Sequence, residues 1–232
     1  VSFELPEYTS EVNGIGFLKL LEVIRSIKGY DPKIYQASTS ELFGDVKEVP
    51  QDEKTPFNPI SPYAISKHFA HQIAVDYRKT YNMKISCGIL FNHESPLRGH
   101  NFVTKKIVTG IIRFLNYGKK LDIGNLNALR DWGHAFDYVR LQHKMLNSSD
   151  PDDFVIATGK QYSVRKFIEQ VCFRLGVTVK WEGENDNELG IVKDVNENSY
   201  KKYIGKTIVY VDKKNFRPSD VVNLIGNPKK AM

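Results

Sequence analysis

The sequence predicts an α/β fold built around a parallel sheet. Helix-like and strand-like segments alternate along the first 90 residues, which is typical of parallel strands connected by helices. The segment 84–91 is almost continuously apolar, as expected of a central strand that is covered on both faces. The chain has 232 residues, which is enough for one large domain or two small ones.

The first half of the chain contains four predicted elements. Apolar residues at helical spacing predict a helix over 11–27, capped by Thr9 or Ser10 and ended by Asp31-Pro32. A short buried strand follows over 33–38. After a proline-rich loop, Pro62 suits the first turn of a helix that runs to about 81. The apolar segment 84–91 is the second strand.

The second half continues the alternation. The predicted helices span 104–116, 135–146 and 164–175, the last of them capped by Ser163. The predicted strands span 121–123, 154–157 and 177–181. The segment 183–206 is polar with mixed charge, so we expect a surface loop or lid there.

Composition narrows the classes of function. The net charge of +6 is spread along the chain and no nucleic-acid motif accompanies it, so small phosphates are plausible partners and nucleic acid is not expected. Cys87 and Cys172 lie in apolar runs, which predicts buried free thiols, no metal site and a reducing, cytoplasmic compartment. We expect no membrane span and no signal peptide. The first residues lack an initiator methionine and are expected to begin within a domain.

Tyr63 and Lys67 are the first candidates for chemistry. They lie four residues apart, on one face of the predicted helix. A lysine cation favours the phenolate and lowers the tyrosine pKa, so Tyr63 can take a hydroxyl proton while hydride leaves the same carbon. Thr39 and Glu41 follow the first strand, and strand ends converge at the carboxyl edge of a parallel sheet. Glu41 adds a second acid/base group, which simple alcohol oxidation does not need.

Each candidate also has a structural interpretation. The hydroxyls of Ser38, Thr39 and Ser40 could serve as turn or cap groups, and Glu41 could be a solvated helix-start acid. His93 could be a satisfied structural histidine. Arg130 and Arg217 could form surface ion pairs, while His68 and His71 are expected in helix packing and at the surface.

A dinucleotide phosphate loop is not expected in this chain. Gly14-Ile15-Gly16 resembles the start of such a loop, but no strand precedes it and Lys19 stands at the third glycine position. We interpret it as a closely packed helix.

Longer motifs resemble the GDP-mannose 4,6-dehydratases, a family of extended short-chain dehydrogenases/reductases. They are YQASTSELFG at 35–44, SPY at 61–63 with Lys67, GILFNHESP at 88–96, NFVT at 101–104, GNL at 124–126, RDWGHA at 130–135, DYV at 137–139, DFVIATG at 153–159 and RP at 217–218. The resemblance covers nearly the whole chain. Phe43 stands where a tyrosine is common in the family, and Leu97 where a second arginine is often found.

The resemblance implies a truncated Rossmann-type fold, a doubly wound parallel sheet with a smaller α/β substrate domain. Residues 1–92 and 135–158 would form a partial NADP-binding domain, and 93–134 and 159–232 a nucleotide-sugar-binding domain. Relative to the family, Val1 corresponds to a point after the Gly-rich loop, and the C-terminal helix is expected to be missing. These residues alone are therefore expected to bind NADP poorly and to turn over little or nothing.

The implied activity is that of an NADP-dependent lyase that converts GDP-mannose to GDP-4-keto-6-deoxymannose, on the route to GDP-fucose. Tyr63 would take the C4 hydroxyl proton, Thr39 would polarise the ketone, Glu41 would remove the C5 proton and Lys67 would assist Tyr63. The implied NADP contacts are Tyr63, Lys67, His93 and Arg98. The implied substrate contacts are Ser40, Asn92, Lys105, Arg130 and Arg217. A homodimer or homotetramer is implied as well.

Two alternatives remain open. A 4-epimerase of the same superfamily needs the tyrosine and lysine but no C5 base, so Glu41 favours dehydration. The other alternative is an inactive fragment or a non-catalytic nucleotide-sugar-binding protein. It stays open because half of a doubly wound sheet would expose an apolar edge, which favours aggregation.

Overall fold

The computed structural model describes residues 2–46, 48–216 and 223–232, and these contain six α-helices. The helices are α1 (Pro6–Ser10), α2 (Gly16–Ser26), α3 (Pro62–Thr80), α4 (Val103–Tyr117), α5 (Ala135–Leu146) and α6 (Val164–Arg174). The predicted helices are confirmed. The predicted cap at Thr9 or Ser10 is wrong, because Pro6 begins α1 and the Thr9 hydroxyl donates to the Leu5 carbonyl within the helix.

Gly14 and Gly16 lie in a continuous helical segment, since a π-helical turn, Glu11–Ile15, joins α1 to α2. A Cβ at Gly14 would come within 3.1 Å of the Phe69 ring. The glycine there permits close packing of helix on helix, which confirms the interpretation of this pair as helical.

Eleven strands are present in the described ranges. They are β1 (Ile34–Thr39), β2 (Ile85–Leu90), β3 (Asn92–Glu94), β4 (Leu121–Ile123), β5 (Leu129–His134), β6 (Asp153–Ile156), β7 (Gln161–Ser163), β8 (Val177–Glu182), β9 (Leu189–Val195), β10 (Thr207–Val211) and β11 (Asn223–Leu224). A third sheet, of order β11-β5-β3 with β7 beside β5, was not predicted from the sequence.

The chain divides into two compact units. The first contains the described residues of 1–93, 131–161 and 221–232, and the second those of 94–130 and 162–220. The compact units are defined by contacts within the chain, whereas the predicted domains are defined by what each of them binds. The predicted division into cofactor and substrate domains therefore stays a prediction.

The first unit contains a parallel sheet of order β1-β2-β6. Helix α3 connects β1 to β2 and packs against both strands, which makes a βαβ unit. Residues of α2 and α3 pack on one face of this sheet, in a core that includes Leu21, Ala74 and Ile85. Helix α5 covers the other face through Tyr138 and Met145. Helices on both faces confirm the doubly wound α/β prediction.

The second unit contains a mixed sheet of order β4-β10-β9-β8, in which β10 runs parallel to β4 and antiparallel to β9. The prediction of a surface loop or lid over 183–206 is wrong, because β9 lies inside this sheet. A bulge explains the error. Val195 pairs with Val177 and Val192 with Val179, so two exposed polar residues separate the buried valines and break the alternating pattern.

Among the described residues, we find no helix that combines the length and the apolar character needed to cross a bilayer.

Candidate active site

The carboxyl end of β1 carries two of the candidate catalytic residues. Thr39 is the last residue of the strand and caps a 3₁₀ turn, Ser40–Leu42, by accepting a hydrogen bond from the Glu41 amide at 3.3 Å. The cap interpretation of Thr39 is therefore confirmed. It is compatible with a chemical role, because a hydroxyl oxygen that accepts one hydrogen bond still has its own proton to donate. Thr39 and Glu41 are both half-buried.

A tight loop holds this turn in place. Gly44 has φ +57°, and a Cβ there would lie 1.7 Å from the Asn58 carbonyl oxygen, so only glycine fits. The Asn58 amide donates to the Leu42 carbonyl at 3.0 Å, and its side chain donates to the Asp45 carbonyl. These bonds tie the 3₁₀ turn to the segment that enters α3.

The N-terminal end of α3 carries the other two candidates. Ser61 caps the helix by accepting from the Ala64 amide at 3.1 Å, and Pro62 occupies the first helical position. Tyr63 and Lys67 follow one turn apart and are half-buried. Because α3 contacts both β1 and the 3₁₀ turn, the fold brings the elements that carry Thr39, Glu41, Tyr63 and Lys67 together within the first unit.

The burial of Lys67 affects its charge. Desolvation lowers the pKa of the ammonium, because burial penalises the charged form. A partly desolvated cation interacts more strongly with an anion nearby than a solvated one does. This suits a lysine whose task is to favour the phenolate of a neighbouring tyrosine.

Asn92 and His93 begin β3 and are half-buried in the first unit. The His93 ring stacks on Tyr138, with centroids 4.8 Å apart, and its Nδ1 lies 2.9 Å from the Phe91 carbonyl oxygen. Since a carbonyl can only accept, Nδ1 carries a proton and donates it. In the neutral ring, Nε2 is then the nitrogen that can accept a hydrogen bond from a ligand.

Ser40 is also in the first unit, but it is only 4% exposed. Its hydroxyl therefore lies below the surface in this conformation, and its predicted substrate contact stays a prediction.

The remaining described candidates lie in the second unit. Arg98 pairs with Glu94 at 3.2 Å and stacks over the Phe102 ring at 3.5 Å. Lys105 Nζ donates to the Pro96 carbonyl at 2.8 Å, and Arg130 donates to the Leu129 carbonyl at 2.8 Å. Arg217 falls outside the described residues.

A buried polar cluster behind α3 was missed by sequence reasoning. Ser38, His71, Asp153 and Arg78 form a continuous series of contacts, and His71 is only 2% exposed. The expectation of packing for His71 is confirmed and the expectation of a surface position is wrong. The one available signal was spacing, since His71 lies four residues after Lys67 and so on the same face of α3.

The residues present fit the nicotinamide end of a dinucleotide. The half-buried Tyr63 and Lys67 belong to a helix that packs on the carboxyl end of a parallel strand, the edge where such sheets bind ligands. The pyrophosphate end has no counterpart at Gly14-Ile15-Gly16, which is helical.

Comparison with solved structures supports the fold. A dTDP-glucose 4,6-dehydratase from Bacillus anthracis, solved in complex with NAD, superimposes with a TM-score of 0.73 at 25% identity. The match covers 96% of this chain and 60% of that one. RMD from Pseudomonas aeruginosa, complexed with NADPH, gives a TM-score of 0.77 at 18% identity, over 99% of this chain and 68% of that one.

Sequence comparison is more specific. A GDP-mannose 4,6-dehydratase from Vibrio cholerae is 52% identical over 235 residues, which cover 100% of this chain and 63% of the relative. The chain thus spans less than two thirds of that relative's length. The family model described as GDP-mannose 4,6 dehydratase matches residues 1–232. The chain therefore belongs to the GDP-mannose 4,6-dehydratase family.

Proposed function

We propose that this protein is a GDP-mannose 4,6-dehydratase, a lyase that converts GDP-mannose to GDP-4-keto-6-deoxymannose. One observation carries the proposal. Glu41 and Tyr63 are both half-buried and lie on two elements that contact each other, with Thr39 and Lys67 beside them. Two acid/base groups at one site suit a reaction that moves protons at two neighbouring carbons. Membership of the family supports the same substrate.

The cofactor in this proposal is NADP. When bound, its nicotinamide accepts a hydride from the sugar and later returns it. Lys67 would contact the nicotinamide ribose, and His93 and Arg98 are further proposed contacts. The complex of the Bacillus anthracis neighbour with NAD supports a nicotinamide cofactor in general. The choice of NADP over NAD rests on the resemblance and is tested by comparing the affinities of the two nucleotides.

The protein's own groups handle the protons. Tyr63, as phenolate, removes the C4 hydroxyl proton while Lys67 stabilises its charge, and Thr39 donates a hydrogen bond to O4. The C4 ketone acidifies the C5 proton, which Glu41 removes. The C6 hydroxyl leaves, and the proton taken from C5 balances it as water. C6 would receive the hydride taken from C4, and C5 would receive a proton that the one held by Tyr63 balances, so the product is a 4-keto-6-deoxy sugar and Tyr63 is again a phenolate.

The nucleotide sugar is proposed to contact Ser40 and Asn92 in the first unit and Lys105, Arg130 and Arg217 along the rest of the chain. Lysine and arginine suit a diphosphate, and an arginine can bind it with two parallel hydrogen bonds. In this proposal residues 1–92 and 135–158 belong to the cofactor domain, and 93–134 and 159–232 to the nucleotide-sugar domain.

The proposal extends to cellular context. The product is an intermediate for GDP-fucose and related deoxysugars. The two buried free cysteines suit the reducing cytoplasm. Exposed apolar side chains on α2, Leu20 and Val23, support assembly into a homodimer or homotetramer.

The test is the identity of the product. The protein is incubated with GDP-mannose and NADP⁺, and the sugar is followed by proton NMR. Dehydration creates a C6 methyl group, whereas a 4-epimerase inverts C4 and keeps the C6 hydroxymethyl group. Appearance of the methyl signal supports the proposal, and an epimer contradicts it. Binding of GDP-mannose without conversion would favour the non-catalytic alternative.

A further inference from the structure

Four polar side chains, two of them buried and two partly buried, form a continuous series between β1, α3 and β6, which we call the α3 relay. Ser38 Oγ lies 2.8 Å from His71 Nδ1. His71 Nε2 lies 3.6 Å from Asp153, and Asp153 accepts from Arg78 at 3.0 Å. Arg78 also donates to the Ile85 carbonyl at 2.9 Å. The relay thus connects the helix to three strands, because Ile85 begins β2.

The Asp153 carboxylate is the acceptor at the centre of the α3 relay. Burial raises the pKa of Asp153, but the hydrogen bond and charge of His71 and the cation of Arg78 outweigh it and bring that pKa to about 2. The carboxylate is therefore ionised at neutral pH and can only accept. In the neutral His71 ring with its proton on Nε2, directed toward Asp153, Nδ1 accepts the Ser38 hydroxyl proton. In the charged ring both nitrogens carry protons, and Nδ1 donates to Ser38 Oγ instead. In either form one hydrogen bond joins Ser38 to His71.

Two other roles fit this cluster less well. The series Ser38, His71 and Asp153 resembles a catalytic triad, but Ser38 is 3% exposed and no substrate reaches its Oγ.

A metal site is the other alternative. The ligand atoms of His71, Cys87 and Asp153 lie within 4.8 Å of one another, as in a metal site. Burial raises the pKa of the Cys87 thiol, whereas a metal needs the thiolate, and the Arg78 cation already neutralises Asp153.

The position of the relay relative to the candidate active site suggests its role. Ser38 immediately precedes Thr39. His71 lies one turn beyond Lys67 and two turns beyond Tyr63, along the same face of α3. A shift of α3 along β1 would break the bond between Ser38 and His71, and would change the position of Tyr63 relative to Thr39 by the same amount.

We propose that the α3 relay is a positioning device, in which Ser38 and His71 fix the position of α3 along β1 and thereby the position of Tyr63 and Lys67 relative to Thr39. Only the catalytic consequence of this inference rests on the proposed function. The relay residues contact one another and not the substrate, so they are positioning residues.

The matched test compares Ser38→Ala with Ser86→Ala. Ser86 is a buried serine of the neighbouring strand, 2% exposed, and its hydroxyl donates to the Met145 carbonyl rather than to α3. Amide hydrogen exchange over 64–71 is measured by mass spectrometry in both variants. We expect exchange there to be about tenfold faster in Ser38→Ala and within about twofold of the original rate in Ser86→Ala, since only Ser38→Ala leaves a buried histidine nitrogen without its partner.

Turnover is the second readout. Ser38→Ala should lower kcat about tenfold with KM for GDP-mannose changed less than about twofold, because misplacement of a catalytic group affects the chemical step. Ser38→Thr keeps the hydroxyl and should recover most of both effects. Ser86→Ala should retain kcat.

The outcomes separate the two proposals. Equal exchange over 64–71 in Ser38→Ala and Ser86→Ala would overturn the relay, as would stoichiometric Zn²⁺ binding that Cys87→Ala abolishes. Faster exchange in Ser38→Ala with unchanged kcat would overturn its catalytic consequence. If the original protein shows no dehydration, the proposed function fails, while the exchange result still decides whether the relay holds α3.

Discussion

The two ends of α3 each carry a tyrosine and a cation, yet their surroundings differ. At the N-terminal end, Tyr63 is followed one turn later by Lys67, and both are half-buried, on a helix that contacts β1 and the 3₁₀ turn after it. At the C-terminal end, the Tyr77 hydroxyl donates to Glu22 at 2.6 Å, and Arg78 pairs with Asp153. The hydrogen bond to Glu22 raises the pKa of Tyr77 to about 12.

This difference shows that the partner, more than the residue type, determines what a tyrosine can do. A carboxylate that accepts a hydrogen bond from the phenol stabilises the neutral form of the tyrosine. Tyr77 is therefore a hydrogen-bond donor that anchors α3 to α2. A lysine cation stabilises the phenolate, so Tyr63 suits proton removal. One end of α3 is therefore expected to affect turnover, and the other to affect stability.

The largest expected effect is at the N-terminal end. Tyr63→Phe removes the proposed base and should lower kcat for dehydration about 10³-fold. Tyr77→Phe is the matched control, since it makes the same chemical change on the same helix outside the candidate site, and should leave kcat within about twofold. Steady-state kinetics with GDP-mannose and NADP⁺ measure both. Comparable losses in the two variants would remove the distinction between the two ends.

The next effect concerns the anchor of the C-terminal end. Asp153→Asn removes the carboxylate that accepts from the largely buried Arg78 at 3.0 Å and leaves it only the more distant Asp152, and should lower the free energy of unfolding by about 2 to 3 kcal/mol. Asp152→Asn is the control, because Asp152 is half-exposed and 3.9 Å from Arg78, and should cost less than about 1 kcal/mol. Urea unfolding measures both values. Equal losses would show that burial of the pair does not matter.

The same carboxylate predicts a pH dependence. The pKa of Asp153 in the folded protein, about 2, lies below its ordinary value of 3.8, so the unfolded chain takes up the proton first as pH falls. Its contribution of about 2 kcal/mol is then fully present above pH 5 or so and is lost between about pH 4 and pH 2. Urea unfolding of Asp153→Asn should lack this part of the acid dependence. An unchanged acid profile in that variant would assign the loss to other carboxylates.

The smallest effect is the stability term of Tyr77 itself. Tyr77→Phe removes the donor to Glu22 and should lower the free energy of unfolding by about 1 kcal/mol. Thermal unfolding measured beside the kinetics gives this value from the same preparation. A change of more than about 3 kcal/mol would mean that this end of α3 depends on the phenol for more than one hydrogen bond.

Much of the first unit could be predicted from the sequence, because local signals agree with the fold there. Pro62 begins α3, the apolar run at 85–90 is a central strand, and helices cover both faces of the sheet. The candidate site followed from the Tyr63 to Lys67 spacing and from Thr39 and Glu41 at a strand end. Such positions can be derived because strand ends and helix faces follow from backbone geometry alone.

Other features depend on contacts between residues far apart in sequence. The contact of Ser38 with His71 spans 33 residues, and that of Arg78 with Asp153 spans 75, so no local pattern marks them. Strand β9 was missed because its bulge breaks the period of two that identifies strands. The cap of the first helix was misplaced because Pro6 begins it earlier than Thr9 or Ser10.

In the proposed reaction, one site oxidises C4, removes water across C5 and C6, and reduces C6 on the same sugar. GDP-mannose carrying deuterium at C4 tests it most directly, with NADP⁺ and the protein present and the product followed by NMR and mass spectrometry. We expect the deuterium to move to the C6 methyl group of the product, because the hydride taken from C4 is the one returned. Deuterium that stays at C4 of a product still bearing its C6 hydroxyl, or a 6-deoxy product without deuterium at C6, would contradict it.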